Sequence, residues 1–566
     1  MFKYTCLNPI ANVGLNLFSA DYAKVDDITS NDGTGKVVDI KGDNAEISQV
    51  SANNQTGDLV TVDGDNTAVS DVTANGGEGT AVNVTGKDAT VSNVDLNGHD
   101  GTGVAVDGDN ATINSVNAVN GNGDAVNVKG NDTIVSGIGI ANQTNSGVNV
   151  DGNNANVSEV VANDVNSDIV NIEGNNATVS NVTAKGGEGT AVNVKGDDAN
   201  IEDVKLNDHN GTGVSTEGTG ATVSDVAATG GSGTVVDAKG DNTNVSGVNM
   251  TGHEGTGVST EGTGSSVSDV KAEGGNGTVV DAKGDNATVS GVDMTNHEGT
   301  GVSTNGTGAT VSDVAATGGS GTVVDAKGAN ATVGNVTADK HDGKAIDAPS
   351  DANVTPAKIT KYDTSISAGA ASYVINYGGK YTVVFSPKVA GKTVTLTING
   401  QKCTAVTDSN GVATFTLTKA MLKSAGVKTA TINFAEDSLY YGTSATAKIT
   451  VNKEKSKITA KSLKKTYKKS KTKKIKITLK NSKNKAIKGT FKVSLKVNKK
   501  LKGSVGKKLK KGKVYKVKFN NKGIGYITLK NKQVKGFKKG TYKFTVTFKG
   551  NNLYNKAAKN IKMKIK

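Results

Sequence analysis

Arginine is absent: all 66 basic residues of this 566-residue chain are lysine. No bidentate guanidinium clamp on phosphate or carboxylate can therefore form. Tryptophan is also missing, and the two cysteines, Cys6 and Cys403, stand far apart in unlike segments. That excludes a disulfide framework and a paired-cysteine zinc site. Between Ala23 and Lys361 there is no Phe, Tyr or Trp. Sugar-processing β-helices need aromatic platforms beside a carboxylate pair or a cationic base, and this stretch offers none of the platforms. Long apolar runs are lacking too: residues are 35% hydrophobic, too few for membrane spans but enough for cores of small side chains. Met1 to Ala20 carries only Lys3 and no continuous apolar core of signal-peptide type.

Charge is distributed very unevenly. Residues 1–356 hold 15 Lys against 48 acids (net −33), residues 357–452 hold 10 against 4 (+6), and residues 453–566 hold 41 against 1 (+40). An acidic part and a strongly cationic part on one chain imply two surfaces with different partners.

The acidic part is a repeat. From Gly42 to Gly328 a Gly-Asp-Asn-like turn recurs every 22 residues without one insertion. Such constancy means that each unit stacks on the last in fixed register. Within a unit, Val38-Asp39-Ile40, Ala45-Glu46-Ile47 and Val50-Ser51-Ala52 each read apolar, variable, apolar, the period of a strand with one buried face. Three short strands joined by turns of four, two and seven residues predict a right-handed, three-sided parallel β-helix. About fifteen coils over 16–349, stacked at ~4.8 Å, would give a rod of roughly 70 Å, with 1–15 as an amino-terminal cap or remnant. A leucine-rich solenoid is excluded because the LxxLxLxxN frame is missing. The four-residue turn usually ends in Asx, as at Asn44, Asn66, Asp88 and Asn110, with Gly220, Gly264 and Gly308 as interruptions. Asn tolerates left-handed backbone, and stacked amides can bond from coil to coil, so the row reads as structural. From Asn210 the unit becomes a doublet of 44: Gly255-Thr256-Gly257-Val258-Ser259-Thr260 reappears as Gly299-Thr300-Gly301-Val302-Ser303-Thr304.

Candidate chemistry on this rod is sparse. All five histidines, His99, His209, His253, His297 and His341, share one place in the seven-residue turn. The last four are two coils apart, roughly 9.6 Å by strand spacing, while imidazoles on one zinc need nitrogens ~2.0–2.1 Å from the metal. The column is therefore read as a solvated loop copied with the doublet, and no metal site is assigned. Asp237, Asp281 and Asp325 line one column on alternate coils, taking turns with Ser215, Ser259 and Ser303. A polysaccharide-acting enzyme would have to use these. Gly230-Gly231-Ser232-Gly233 mimics a phosphate loop, but no helix pattern follows. A Thr column at 90, 112, 178, 222, 288, 310 and 332 is one residue wide and broken by Ala68, Ile134 and Asn200, a poor ice-binding face. Sequons at Asn110, Asn131, Asn142, Asn176, Asn210, Asn286 and Asn335 read equally as glycan acceptors or as products of an Asn- and Thr-rich composition. No catalytic, cofactor or metal residue is assigned.

After Pro349 the period ends and aromatics return. Alternating runs at Tyr381–Ser386, Thr393–Ile398, Ala413–Leu417, Thr429–Phe434 and Ala445–Val451 predict an Ig-like β-sandwich of about seven strands over 357–452. Residues 453–566 repeat the plan: Thr431-Ile432-Asn433-Phe434 before Leu439-Tyr440 corresponds to Thr545-Val546-Thr547-Phe548 before Leu553-Tyr554. Lysines alternate with apolar residues there, as in Phe491-Lys492-Val493-Ser494-Leu495-Lys496-Val497. Outward Lys guards sheet edges, but a surplus of forty exceeds what solubility needs, which points to an anionic cell-wall polymer or lipid surface. Nucleic acid is not expected, since no recognition motif accompanies the lysines.

The Asn- and Thr-rich β-helix, followed by sandwiches with Asn399-Gly400-Gln401, Asp408-Ser409-Asn410-Gly411-Val412-Ala413-Thr414-Phe415 and Gly540-Thr541-Tyr542-Lys543-Phe544, resembles the adhesin-like surface proteins of methanogenic archaea over nearly the whole chain. Ig-like repeats of this type also occur in bacterial surface proteins. The resemblance implies export, wall attachment and contact with other cells. The expectation is a non-enzymatic cell-surface adhesin, with 453–566 on the envelope and 16–349 displaying loops to glycans or proteins of other cells. A polysaccharide-acting enzyme and a purely structural wall component are the alternatives.

Overall fold

The computed structural model describes residues 15–17 and 21–566, so the expected cap at 1–15 and Cys6 lie essentially outside the described residues. The chain is all-β, with a parallel β-solenoid of about 15 turns followed by β-sandwiches. It divides into two compact units, 1–361 and 362–566. No helix among the described residues is long and apolar enough to cross a membrane.

In the first unit two parallel ladders run the length of the solenoid. One is a 16-stranded sheet of short strands such as Val38–Lys41 and Val60–Asp63. The other is built of eight-residue strands such as Glu46–Asn53 and Ala68–Asn75. Register is set by the period: Val38 pairs with Val60, and Ile47 with Val69. The long strand contains two of the expected short ones, because Ile47, Val50 and Ala52 are all buried and Gln49 between them takes φ 53°. A left-handed residue there changes the alternation by one place and bends the strand, which makes two of the three sides one continuous ladder.

Left-handed residues mark all three corners of the coil. They recur in the columns of Asn44 (φ 59°), Gln49 (φ 53°) and Asn54 (φ 51°), occupied mainly by Asn, Asp and Gly. The interior is largely apolar and made of small residues: Val38, Val60, Val82 and Val104 are each 0% exposed. Each such valine contributes roughly 1.5–3 kcal/mol by leaving water. The solenoid does not end at 349 as the strict period suggests. Asn353–Val354 and Lys358–Thr360 pair with Thr332–Val333 and Thr337–Asp339. That offset is 21 rather than 22, so one residue less in the last turn hides it from the repeat, and the first sandwich starts after 361 rather than at 357.

In the second unit each sandwich packs a three-stranded sheet on a five-stranded one, in the same strand order. The first has eight strands, from Ser365–Ser367 to Thr443–Asn452, around Phe385, Phe415, Leu396 and Ile432. The second has eight, from Ser456–Ser462 to Ala557–Ile565, around Ile475, Leu495, Phe544 and Phe548, plus one helix, α1 (Ser504–Lys511). Their equivalence extends to the joint. Tyr362 bridges to Tyr440 in the first, and Glu454 bridges to Tyr554 in the second.

Candidate functional site

The histidine column is not solvated. His99, His209, His253, His297 and His341 are 2–7% exposed. Each alternates with glycine on the neighbouring coils, and the reason is steric: a Cβ on Gly121, Gly231, Gly275 or Gly319 would lie 2.1 Å from the carbonyl oxygen of the histidine one coil earlier. The rings fill the room that glycine leaves. Nδ1 meets a glycine carbonyl 23 residues back in all five, from 2.7 Å at His209 to 3.1 Å at His297. Nε2 of His253, His297 and His341 meets a second glycine carbonyl at 2.8, 3.3 and 3.2 Å. Nε2 of His99 and His209 is buried with no partner among the described residues, so the contact common to all five is that of Nδ1, which holds each ring inward as a strut. Among the described residues no group of three or more His, Cys, Asp or Glu could hold a metal ion.

The aspartate column stays dispersed as well. Asp237, Asp281 and Asp325 each face a lysine of their own coil, Lys239, Lys283 and Lys327, at 3.6, 3.8 and 2.8 Å. Lys283 also reaches Glu261 (3.2 Å) and the Ser259 hydroxyl (3.4 Å). The hydrogen bond and charge of Asp325 push the Lys327 amine above its ordinary range. These carboxylates are thus tied into separate local ion pairs, and successive members of the column are two coils apart.

Many Asn and Asp side chains on the solenoid are rungs. Asn153 Oδ1 accepts the backbone N–H of Asn175 (2.8 Å), and Asn175 Oδ1 accepts that of Asp197 (2.8 Å). In the corner column, Asn154 donates to Asp132 and Asn176 to Asn154. The sequon amides of Asn110, Asn131, Asn142, Asn176 and Asn335 all donate to the preceding coil. A glycan on any of them would remove a rung.

The cationic sandwich has a different surface. Its one carboxylate, Glu454, is buried at the joint between the sandwiches, where it accepts from the Tyr377 hydroxyl and from Ser482 Oγ (3.3 Å). Lys483 lies 4.3 Å from the Tyr377 ring. No other acidic side chain of this sandwich is available to its lysines, and most of these point to water from alternate strand positions. Lys473 is the exception. It is 0% exposed, donates to the Lys469 carbonyl (2.8 Å), sits 4.4 Å from the Phe537 ring, and burial pushes its amine below the ordinary range. Sequence reasoning placed the lysines outward and missed this one; its position between Thr472 and Lys474 gives no signal, because only the sheet register turns it inward.

No family model matches the chain, and no curated protein matches it. Among solved structures, the titin domains Z1Z2 in complex with telethonin align at 11% identity over 37% of this chain and 98% of that one, with a TM-score of 0.21. A 1.5-MDa bacterial ice-binding adhesin aligns at 13% identity over 36% of this chain and 66% of that one, with a TM-score of 0.17. A tetra-tandem repeat from the extending region of a large adhesion protein aligns at 13% identity over 36% of this chain and 48% of that one, with a TM-score of 0.22. Scores of this size carry no functional inference.

Proposed function

We propose that this is a non-enzymatic cell-surface adhesin, in which 453–566 attaches to an anionic cell envelope and the acidic solenoid displays its loops to glycans or proteins of other cells. The observation that carries this reading is charge segregation between folded parts: 48 acids against 15 lysines in residues 1–356, and 41 lysines against a single, buried acid in 453–566. A field of one sign draws a polymer of the other and is screened by salt. Repeated weak contacts from successive coils would add through multivalency. The test is pelleting of the full chain with purified anionic envelopes across a salt titration. Release as salt rises supports the anchor; absence of pelleting, or pelleting indifferent to salt, refutes it.

A purely structural wall component is a second reading, favoured by one observation. The solenoid's Asn and Asp side chains spend their hydrogen bonds on neighbouring coils, as between Asn176 and Asn154. If envelope-bound protein captures no foreign cells or glycans while packing at high density, this second reading holds and display fails.

A further inference from the structure

The lysines of the last sandwich are not spread evenly: a subset converges on one concavity. Lys499, Lys500 and Lys502 follow the strand Gly489–Val497 and form one side. Lys507, Lys510 and Lys511 come from α1. Lys538 and Lys539 close it from the loop before Gly540–Phe548. The groove encloses about 750 Å³, within the roughly 300–1,000 Å³ of ligand pockets and too large for a single ion. Its floor is fixed. Leu501 and Tyr542 are buried, and the Tyr542 hydroxyl is bonded to the Lys538 N–H (2.8 Å) and carbonyl (3.2 Å). Lys510 donates to the Asn498 carbonyl (2.6 Å), and Lys499 lies 5.5 Å from the Tyr542 ring.

Like charges brought together without a carboxylate repel one another, and an entering anion relieves that repulsion. We propose that this groove seats a strand of linear anionic polymer, with phosphate or carboxylate groups spaced along a flexible chain. The inference rests on the anchor reading and gives it a site. Ammonium groups are point charges without a fork geometry, so they suit a flexible strand whose anionic groups vary in angle. Nucleic acid fits less well. Tyr542, the one aromatic residue lining the groove, is buried and offers no ring for a base to stack on.

The test compares two full-length quadruple variants of equal charge by titration calorimetry. One carries Lys499→Gln, Lys502→Gln, Lys507→Gln and Lys538→Gln in the groove. The other carries Lys457→Gln, Lys461→Gln, Lys474→Gln and Lys480→Gln on the sheet of Ser456–Ser462 and Lys473–Asn481. All eight side chains are exposed, so both variants should melt as the parent does. The probes are poly(glycerol phosphate), polygalacturonate and single-stranded oligothymidylate. The expected result at ~0.1 M salt is at least a tenfold loss of affinity for one or both polymers in the groove variant, with a shallower salt dependence, and less than a threefold loss in the other. Which polymer binds identifies the anion as phosphate or carboxylate. Equal losses in both variants would overturn the groove and leave the anchor standing as diffuse attraction. Parent protein that pellets with envelopes yet binds neither polymer would overturn the ligand class alone, and parent that does neither would remove the anchor itself. Tighter groove-dependent binding of oligothymidylate would reassign the site to nucleic acid.

Discussion

At the scale of single residues, the solenoid is governed by what cannot be added. Gly152 has an ordinary backbone, but a Cβ there would lie 1.9 Å from the Gly130 carbonyl oxygen, and the same close approach recurs down the column from Gly64 (2.1 Å) to Gly328 (1.9 Å). Backbone atoms cannot step aside as a side chain can, so Gly152→Ala should cost ~1–3 kcal/mol or more and lower the melting temperature measured by calorimetry. The opposite sign is expected one column away. Thr216, Thr260 and Thr304 are 0% exposed, and their hydroxyls meet no partner among the described residues. The same column holds Val at 62, 84 and 106. Thr260→Val keeps the shape and removes an unpaired hydroxyl, so it should stabilise by about 1–2 kcal/mol, seen as a rise in the same melting temperature.

At the scale of elements, the strand columns were legible in the sequence because burial with a period of two leaves an unmistakable trace, as at Val50 and Ala52. The corner at Ser48-Gln49 was legible as a two-residue turn, but the strand's continuity through a left-handed residue was not, since glutamine carries no such signal; its neighbours in the column, Asp71 and Asn93, do carry one. The strand Gln401–Val406 escaped notice because it lies at a sheet edge with four of its six residues exposed and none buried. The histidines were misread for a related reason. Their burial depends on glycines 22 residues away, a relation that appears only when coils are stacked. The joint between the sandwiches was equally hidden, and it makes a prediction. The hydrogen bond to the Glu454 carboxylate raises the Tyr377 phenol to about 12. A phenol whose value rises on folding stabilises below its unfolded value of about 10 and loses that contribution as pH climbs from there towards 12. In melts of the full chain, the stability difference between parent and Tyr377→Phe should be constant up to about pH 9 and vanish near pH 12. Lysine deprotonation affects both proteins alike and cancels in the difference.

At the scale of the whole molecule, a solenoid is stabilised by contacts between neighbouring coils, so length can change wherever the new neighbours match the old. The 44-residue doublet decides which changes qualify. Removing residues 255–298 joins Glu254 to Gly299 and lays Val302 on Val236 in place of its partner Val280. The coil of Val236 carries Asp237 and Ala238 where that of Val280 carries Asp281 and Ala282, so the contact removed is the contact re-formed. Removing residues 255–276 instead lays His297 on His253. Natively the next coil there presents Gly275, at φ 74°, with no room for a Cβ beside the His253 carbonyl. The same cut lays Met294 on Met250, where Ala272 now stands between them. Overpacking and strain at two inward columns should cost several times the ~1–3 kcal/mol of one such site. The 44-residue deletion is therefore expected to melt within a few degrees of the parent, and the 22-residue deletion far below it, although it removes half as much. Equal melting of the two would mean that coils tolerate any neighbour and that the doublet has no packing cause.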